Sequence, residues 1–316
     1  MRRTTAVLLW ALALAASAAA QDFPSKPVKF VVPFPPGGPL DISGRIIGKE
    51  LQDRWGQPVV VENKPGSTIG PEYVAKCPPD GYTLMIISST PLVTLPHLQK
   101  VPYDALKDLV GVTQTTLLTY AFVVNPASGI GSIQDLIDRA KKEPGRLNYA
   151  SAGNGSGQHL YVELLKSAAH IDLTHVPYKG AAPALQAVLS GEPPIMLDVT
   201  VAVIPQVKSG KLRALMVTGG VPLEQLPGAI PFDSLFPGLG IPGWHGIFAT
   251  GVTPKPVLDK LAADIRQVLQ IPGVANRFRD LGVEPSGVSG DEFNAIVRRD
   301  YARWGEIIRA NKLRAD

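Results

Sequence analysis

From Val28 onward, runs of β-forming residues alternate with segments whose apolar residues recur at helical spacing. "VKFVVPF" reads as a strand; Ile42, Ile46, Ile47, Leu51 and Trp55 mark one face of a helix, and "PVVVENKPG" returns to a strand ending in a turn. "YTLMIIS", "AFVVN", "RLNYAS", "IMLDV" and "LRALMVT" are further strands. Between the later ones lie helices at "SIQDLIDRAKKEPG", with Ser132 as its N-cap, at "HLYVELLKSA", at 181–190 and at "AVIPQVKSG". Periodicity fails between Gly219 and Pro242, where Gly and Pro accumulate as in a linker or surface excursion, and it resumes with "WHGIFAT" and two amphipathic helices. Such alternation predicts an α/β chain whose mostly parallel sheets are flanked by helices.

The first twenty residues stand apart. Met1-Arg2-Arg3, an apolar run from Ala6 to Ala16 and the small residues Ala18-Ala19-Ala20 form a secretory signal, so the product is expected to be exported. No other apolar stretch reaches the roughly 18–20 residues that span a bilayer. The 31 basic residues less Arg2 and Arg3 leave 29 against 27 acidic ones, a formal +2. That balance, with the basic residues scattered, disfavours a nucleic-acid or membrane-surface binder. The mature length exceeds that of a typical single core, so two lobes are expected. The lone Cys77 excludes an internal disulfide and fits a small buried hydrophobe.

Two glycine-rich turns carry the functional signal. In "FVVPFPPGGPLDISGRIIGKEL" a strand stops at prolines, turns through Gly37 and Gly38, and restarts as a helix. Helix N-termini that follow strands offer unpaired N–H groups and about half a positive charge, which suits an anion. The alternative is a tight connection needing φ > 0. Asp41 either caps the first helical turn or reaches the ligand. "LNYASAGNGSGQHLYVELL" repeats the pattern with Ser151, Gly153, Asn154, Gly155, Ser156 and Gly157. Two such turns facing across a cleft would hold a small carboxylate or dicarboxylate without a cationic side chain.

Enzyme readings find less support. Ser156 lacks the G-x-S-x-G context of a nucleophile elbow. Gly153, Gly155 and Gly157 give G-x-G-x-G rather than the dinucleotide fingerprint. The five histidines have no metal-ligand spacing, so no metal centre is expected; no cofactor is implied either. His159, in the first turn of a helix, reads as a capping or packing residue or as a general base.

"VPFPPGGPLD", "GQPVVVENKPG", "PPDGYTL", "SAGNGSGQHL", "VPYKGAAPALQAVLSGE", "SGKLRALMVT" and "FRDLGVEPSGVSGDEF" occur in one order over nearly the whole chain after Phe23. Together they resemble the Bug family of tripartite tricarboxylate transporter substrate-binding proteins. The resemblance implies a two-lobed periplasmic binding protein of the type II kind, non-enzymatic and monomeric, that closes on a small organic acid and delivers it to membrane transporter subunits. It implies lobe 1 from 21–124 and 241–316 and lobe 2 from 125–240, with crossings near Phe122 to Asn125 and ahead of Trp244. The ligand turns become Pro35, Pro36, Gly37, Gly38 and Asp41, and Ser151, Gly153, Asn154, Gly155 and Ser156. Ser88, Ser89 and Thr90, then Tyr178, Lys179 and Gly180, and finally Asp198 align with cleft-lining stretches. For Tyr178 and Lys179 the competing reading is a structural loop, and for Asp198 a strand-end cap. Three departures stand out: a shortened loop after Asn63-Lys64-Pro65-Gly66, Pro193-Pro194 where the family carries an acidic residue, and Val221 at an arginine position. A sensor subunit on the same fold, and an exported hydrolase using Ser156 with His159, are the alternative functions.

Overall fold

The computed structural model describes residues 23–218, 223–280 and 283–314; the signal-like segment and Val221 lie outside them. The first unit runs β1 (Val28–Val32), α1 (Pro39–Trp55), β2 (Val59–Asn63), α2 (Ile69–Ala75), β3 (Thr83–Ser88), the short helices α3 (Thr90–Val93) and α4 (Leu95–Leu98), and β4 (Leu109–Leu118). The second holds β5 (Tyr120–Val124), α5 (Ile133–Lys142), β6 (Asn148–Ser151), α6 (Gly157–Ala169), β7 (Thr174–Pro177), α7 (Ala181–Ser190), β8 (Ile195–Val199), α8 (Thr200–Lys208), β9 (Arg213–Val217), β10 (Ile230–Pro231) and α9 (Phe232–Leu235). The chain then returns with β11 (Gly243–Thr250), α10 (Lys255–Leu269), α11 (Pro272–Asp280), β12 (Glu284–Pro285) and α12 (Gly290–Asn311).

Two six-stranded sheets result, in the orders β12-β4-β11-β3-β1-β2 and β10-β9-β5-β8-β6-β7. The chain is therefore two-lobed. Strand direction follows from how it crosses between them. β1, β2 and β3 are parallel, and β6, β7 and β8 are parallel. β11 is antiparallel to both its neighbours β3 and β4, and β5 to both β8 and β9. β4 leaves the first sheet at the end where β1 and β3 finish; one residue later β5 enters the second sheet at the corresponding end and must run away from it. β11 does the same in reverse. The second sheet is thus parallel apart from β5, the strand that arrives from the other lobe, and the first is reversed at β11, which arrives likewise, and at the edge strand β12, antiparallel to β4.

The first crossing consists of Thr119 alone, ahead of the expected Phe122 to Asn125. β5 belongs wholly to the second sheet, so 120–124 lie there and not in lobe 1 as expected. The apolar "AFVV" continues the β-forming run of β4, so nothing in its composition marks the change of sheet. The second crossing spans 236–242, pinned where Gly240 N–H donates to Asp233 at 2.8 Å and where Arg303 of α12 bonds the Gly238 carbonyl.

The inner strands are hydrophobic on both faces because helices cover both: Phe30, Val31, Val32 and Leu84 through Ile87 are fully buried. Gly44 lets α1 lie close on the sheet, since a Cβ there would stand 3.3 Å from Ile86. On the opposite face, Phe293 of α12 packs edge-on to Trp244, whose indole N–H donates to the buried Asp300 at 3.0 Å.

Candidate functional site

Open α/β sheets bind ligands beyond the carboxyl ends of their parallel strands. Here those ends are followed by α1 after β1, α6 after β6, α7 after β7 and α8 after β8. Of these four helices only α6 carries a side-chain cap, from Ser156, whose Oγ accepts from His159 N–H at 3.2 Å. The remaining first-turn amides are left to solvent or ligand, and their dipoles give this rim a positive potential.

In the first turn Pro35, Pro36 and Gly37 are exposed and Gly38 is the N-cap. Gly37 has φ +82°, so the positive-φ requirement is real at that position, whereas Gly38, at φ −77°, needs no glycine for conformation. Asp41 does not present its carboxylate to the rim. It is buried; Oδ2 accepts from Gly37 N–H at 2.9 Å and Arg45 Nε at 3.0 Å, while Oδ1 accepts from Asn63 Nδ2 at 3.0 Å. Asn63 also donates to the Phe34 carbonyl at 3.1 Å. Burial raises the Asp41 carboxyl, but the Arg45, Gly37 and Asn63 hydrogen bonds outweigh it and hold it below the ordinary carboxylate value. Asp41 thus shapes the turn ahead of α1 without capping the helix's first-turn amides. The shortened loop closes on the same turn, with Gly66 N–H donating to the Pro33 carbonyl at 3.2 Å.

Ser88 ends β3, the parallel neighbour of β1, and Ser89 and Thr90 follow it, so all three lie on the same rim. Ser89 N–H donates to the Trp244 carbonyl at 2.8 Å. Ser89 and Thr90 line a small gap with Tyr120, Gly157 and Leu160, where the lobes meet at the hinge. A Cβ on Gly157 would stand 2.9 Å from the Tyr120 hydroxyl and 3.8 Å from Thr90 Oγ1. Among the described residues, no hydrogen bond or ion pair joins Pro35 to Asp41 with the turns of the second lobe.

The second turn is built around Ser151, which is fully buried, with Gly153 and Gly155 at φ +121° and +70°. Ser151 Oγ accepts from Gly153 N–H at 3.0 Å and lies 2.6 Å from His175 Nε2. Gly155 N–H donates to His159 Nδ1 at 3.1 Å, while Asn154 is exposed. His159 and His175 stack at 4.1 Å and Tyr149 stacks on His175 at 4.8 Å, a column that props the turn from beneath. Burial first, then His159, pushes His175 down to about 4. Ser156 Oγ is engaged as the cap of α6 and His159 Nδ1 as an acceptor from Gly155 N–H. Tyr178, Lys179 and Gly180 follow β7; Tyr178 N–H donates to the Ser151 carbonyl at 3.0 Å, so this loop is tied to the same turn, with Lys179 exposed.

Asp198, next to last in β8, is almost wholly buried and accepts from Gln158 Nε2 at 3.2 Å and Val199 N–H at 2.8 Å. Burial pushes its carboxyl up to about 6 against those two bonds. Asn63, Tyr120, Gln158 and His175 were absent from the sequence-derived site. Their signal was spatial, since each joins the rim through a partner far away in the chain. Among the described residues no helix is long and apolar enough to cross a membrane, and no group of His, Cys, Asp or Glu is placed to hold a metal.

A family model for the tripartite tricarboxylate transporter family receptor matches residues 44–313. Protein BugT of Bordetella pertussis is 32% identical over 94% of this chain and 92% of its own. The structure of Rpa4515 from R. palustris with adipate superposes at TM-score 0.79, 29% identical, over 92% of this chain and 98% of that one. MatC from Rhodopseudomonas palustris with bound malate superposes at 0.77, also 29% identical, over 90% and 100%. Family model, BugT relationship and shared two-lobed architecture agree: this chain belongs to the tripartite tricarboxylate transporter receptor family, the Bug proteins among them.

Proposed function

We propose that the protein is a periplasmic, non-enzymatic receptor that captures a small organic acid between its lobes and delivers it to a membrane transporter. The observation that carries this reading is the rim of helix N-termini at the carboxyl ends of both sheets, uncapped at α1, α7 and α8. A carboxylate suits such a rim because backbone N–H groups and dipoles solvate it without a counter-charge. Relatives of the same fold hold adipate and malate. Pro35, Pro36, Gly37 and Gly38 receive one end of the acid, with Ser88, Ser89 and Thr90 beside them. Gly153, Asn154, Gly155, Ser156 and the Tyr178 to Gly180 loop meet the other end on closure, while Asp41, Ser151 and Asp198 hold the walls in place.

The test is a thermal-shift screen of organic acids on protein refolded to remove carried-over ligand. A ligand that binds only the native state adds about 2.7 kcal/mol at a hundred times its Kd. A shift with at least one mono- or dicarboxylate is expected, and its loss in Gly38→Val. A Cβ at Gly38 meets only the Pro35 carbonyl, at 3.5 Å, so the variant keeps its fold and reports on ligand access. Normal binding by folded Gly38→Val would remove the first turn from the site.

A further inference from the structure

A cavity of about 500 Å³ holds none of the residues of the first glycine turn. It lies along the seam between α6 and the end of α12, lined by Glu163, Lys166, Lys312 and Arg314 with the imidazoles of His159 and His175. Its walls come from both lobes. α12 is anchored to the first sheet through Asp300 and Phe293, while its far end reaches α6, where Trp304 meets Tyr161 edge-on at 5.2 Å and Ser167 Oγ donates to the Asn311 carbonyl at 3.4 Å.

Three cations against one carboxylate leave this lining a formal +2 with the imidazoles neutral. Lys166 is shared between Glu163 at 2.9 Å and the exposed Asp172 at 3.6 Å. Among the described residues Lys312 and Arg314 have no ion-pair partner, although Glu163 lines the same cavity. Glu163 is already engaged, accepting from the Tyr149 hydroxyl at 2.8 Å and from Lys166. A cavity of ligand size with surplus positive charge and a forked guanidinium matches an oxyanion.

We propose that this seam is a second ligand site, separate from the interlobe cleft, and that it takes a small doubly charged oxyanion of the phosphate or short-dicarboxylate kind. The site stands whether or not the cleft binds a carboxylate. If the cleft does, occupancy is coupled to it, because His159 and His175 line the cavity and also hold Gly155 and Ser151 of the second turn. By reciprocity each ligand changes the other's affinity by the same factor.

The test follows the histidine ring resonances of the purified protein by NMR during titration with inorganic phosphate, then with succinate, at constant ionic strength. Saturable shifts of His159 and His175 are expected with a Kd of roughly millimolar. The double variant Lys312→Asn with Arg314→Glu should weaken that response about tenfold or more, since it turns the lining's surplus negative. Asparagine is chosen because Lys312 sits at φ +50°, which it tolerates. Gly38→Val should leave the response intact, separating it from the first turn of the cleft. Absence of saturable shifts, or equal affinity in the double variant, would overturn the proposal. Saturation by phosphate but not succinate, or the reverse, assigns the oxyanion type within it.

Discussion

At the scale of single residues, two buried carboxylates in the rim respond to pH in opposite directions. Asp41 has its folded value depressed, so its contribution is present above the unfolded value near 4 and is lost as pH falls through the lower folded value. Asp41→Asn places an amide N–H₂ among the donors of Gly37, Arg45 and Asn63, and should cost about 1–3 kcal/mol at pH 7. Denaturant titrations should find that gap shrinking toward pH 3; a constant gap would mean packing, not charge, is at stake. Asp198 is the reverse case, with a folded value pushed up to about 6. Between the unfolded value near 4 and about 6 the native state binds more protons, so wild type loses stability as pH rises through that window. Asp198→Asn therefore gains on wild type across the same window, by an amount on the order of 1–3 kcal/mol above pH 6. A stability difference that does not change between pH 4 and 7 would sink the assignment.

At the scale of elements, the contact that sets the hinge end of the cleft is α6 against β5. Gly157→Ala drives a methyl into the Tyr120 hydroxyl, so α6 must shift by a few tenths of an ångström or the ring must turn. The expected cost is about 1–3 kcal/mol with weakened ligand binding, measured by calorimetry on the variant; an unchanged Kd would detach this helix start from the site. The helices α1, α5, α6, α7, α8, α10 and α12 were legible in the sequence because their apolar spacing and caps are local: Ser132 does accept from Asp135 N–H at 3.1 Å, and α1 does open after the two glycines. By contrast, α2, α3, α4, α9 and α11 were not expected. β4 was not, because "LVGVTQTTLL" buries threonines where a strand pattern would show alternating apolar residues. The place where the chain changes sheet was equally hidden, since one continuous β-forming stretch serves both lobes. The turns of the site were readable as glycine patterns, yet the role of Asp41 required knowing that Asn63, twenty-two residues on, returns beside it.

For the whole molecule, the two-lobed architecture predicts a ligand-driven change of shape. Small-angle scattering of ligand-free protein should give a larger radius of gyration than protein saturated with the acid found in the thermal screen, as for hinge closure around a bound ligand. Identical curves would mean that binding does not move the lobes. Thr119 is the whole of one crossing, its carbonyl accepting from Thr200 N–H at 2.8 Å. With so short a tether, an acid held by one lobe meets the other as an intramolecular partner, at an effective concentration on the order of millimolar or above. On the proposed function, the two rims of backbone amides are the two arms of one bivalent receptor.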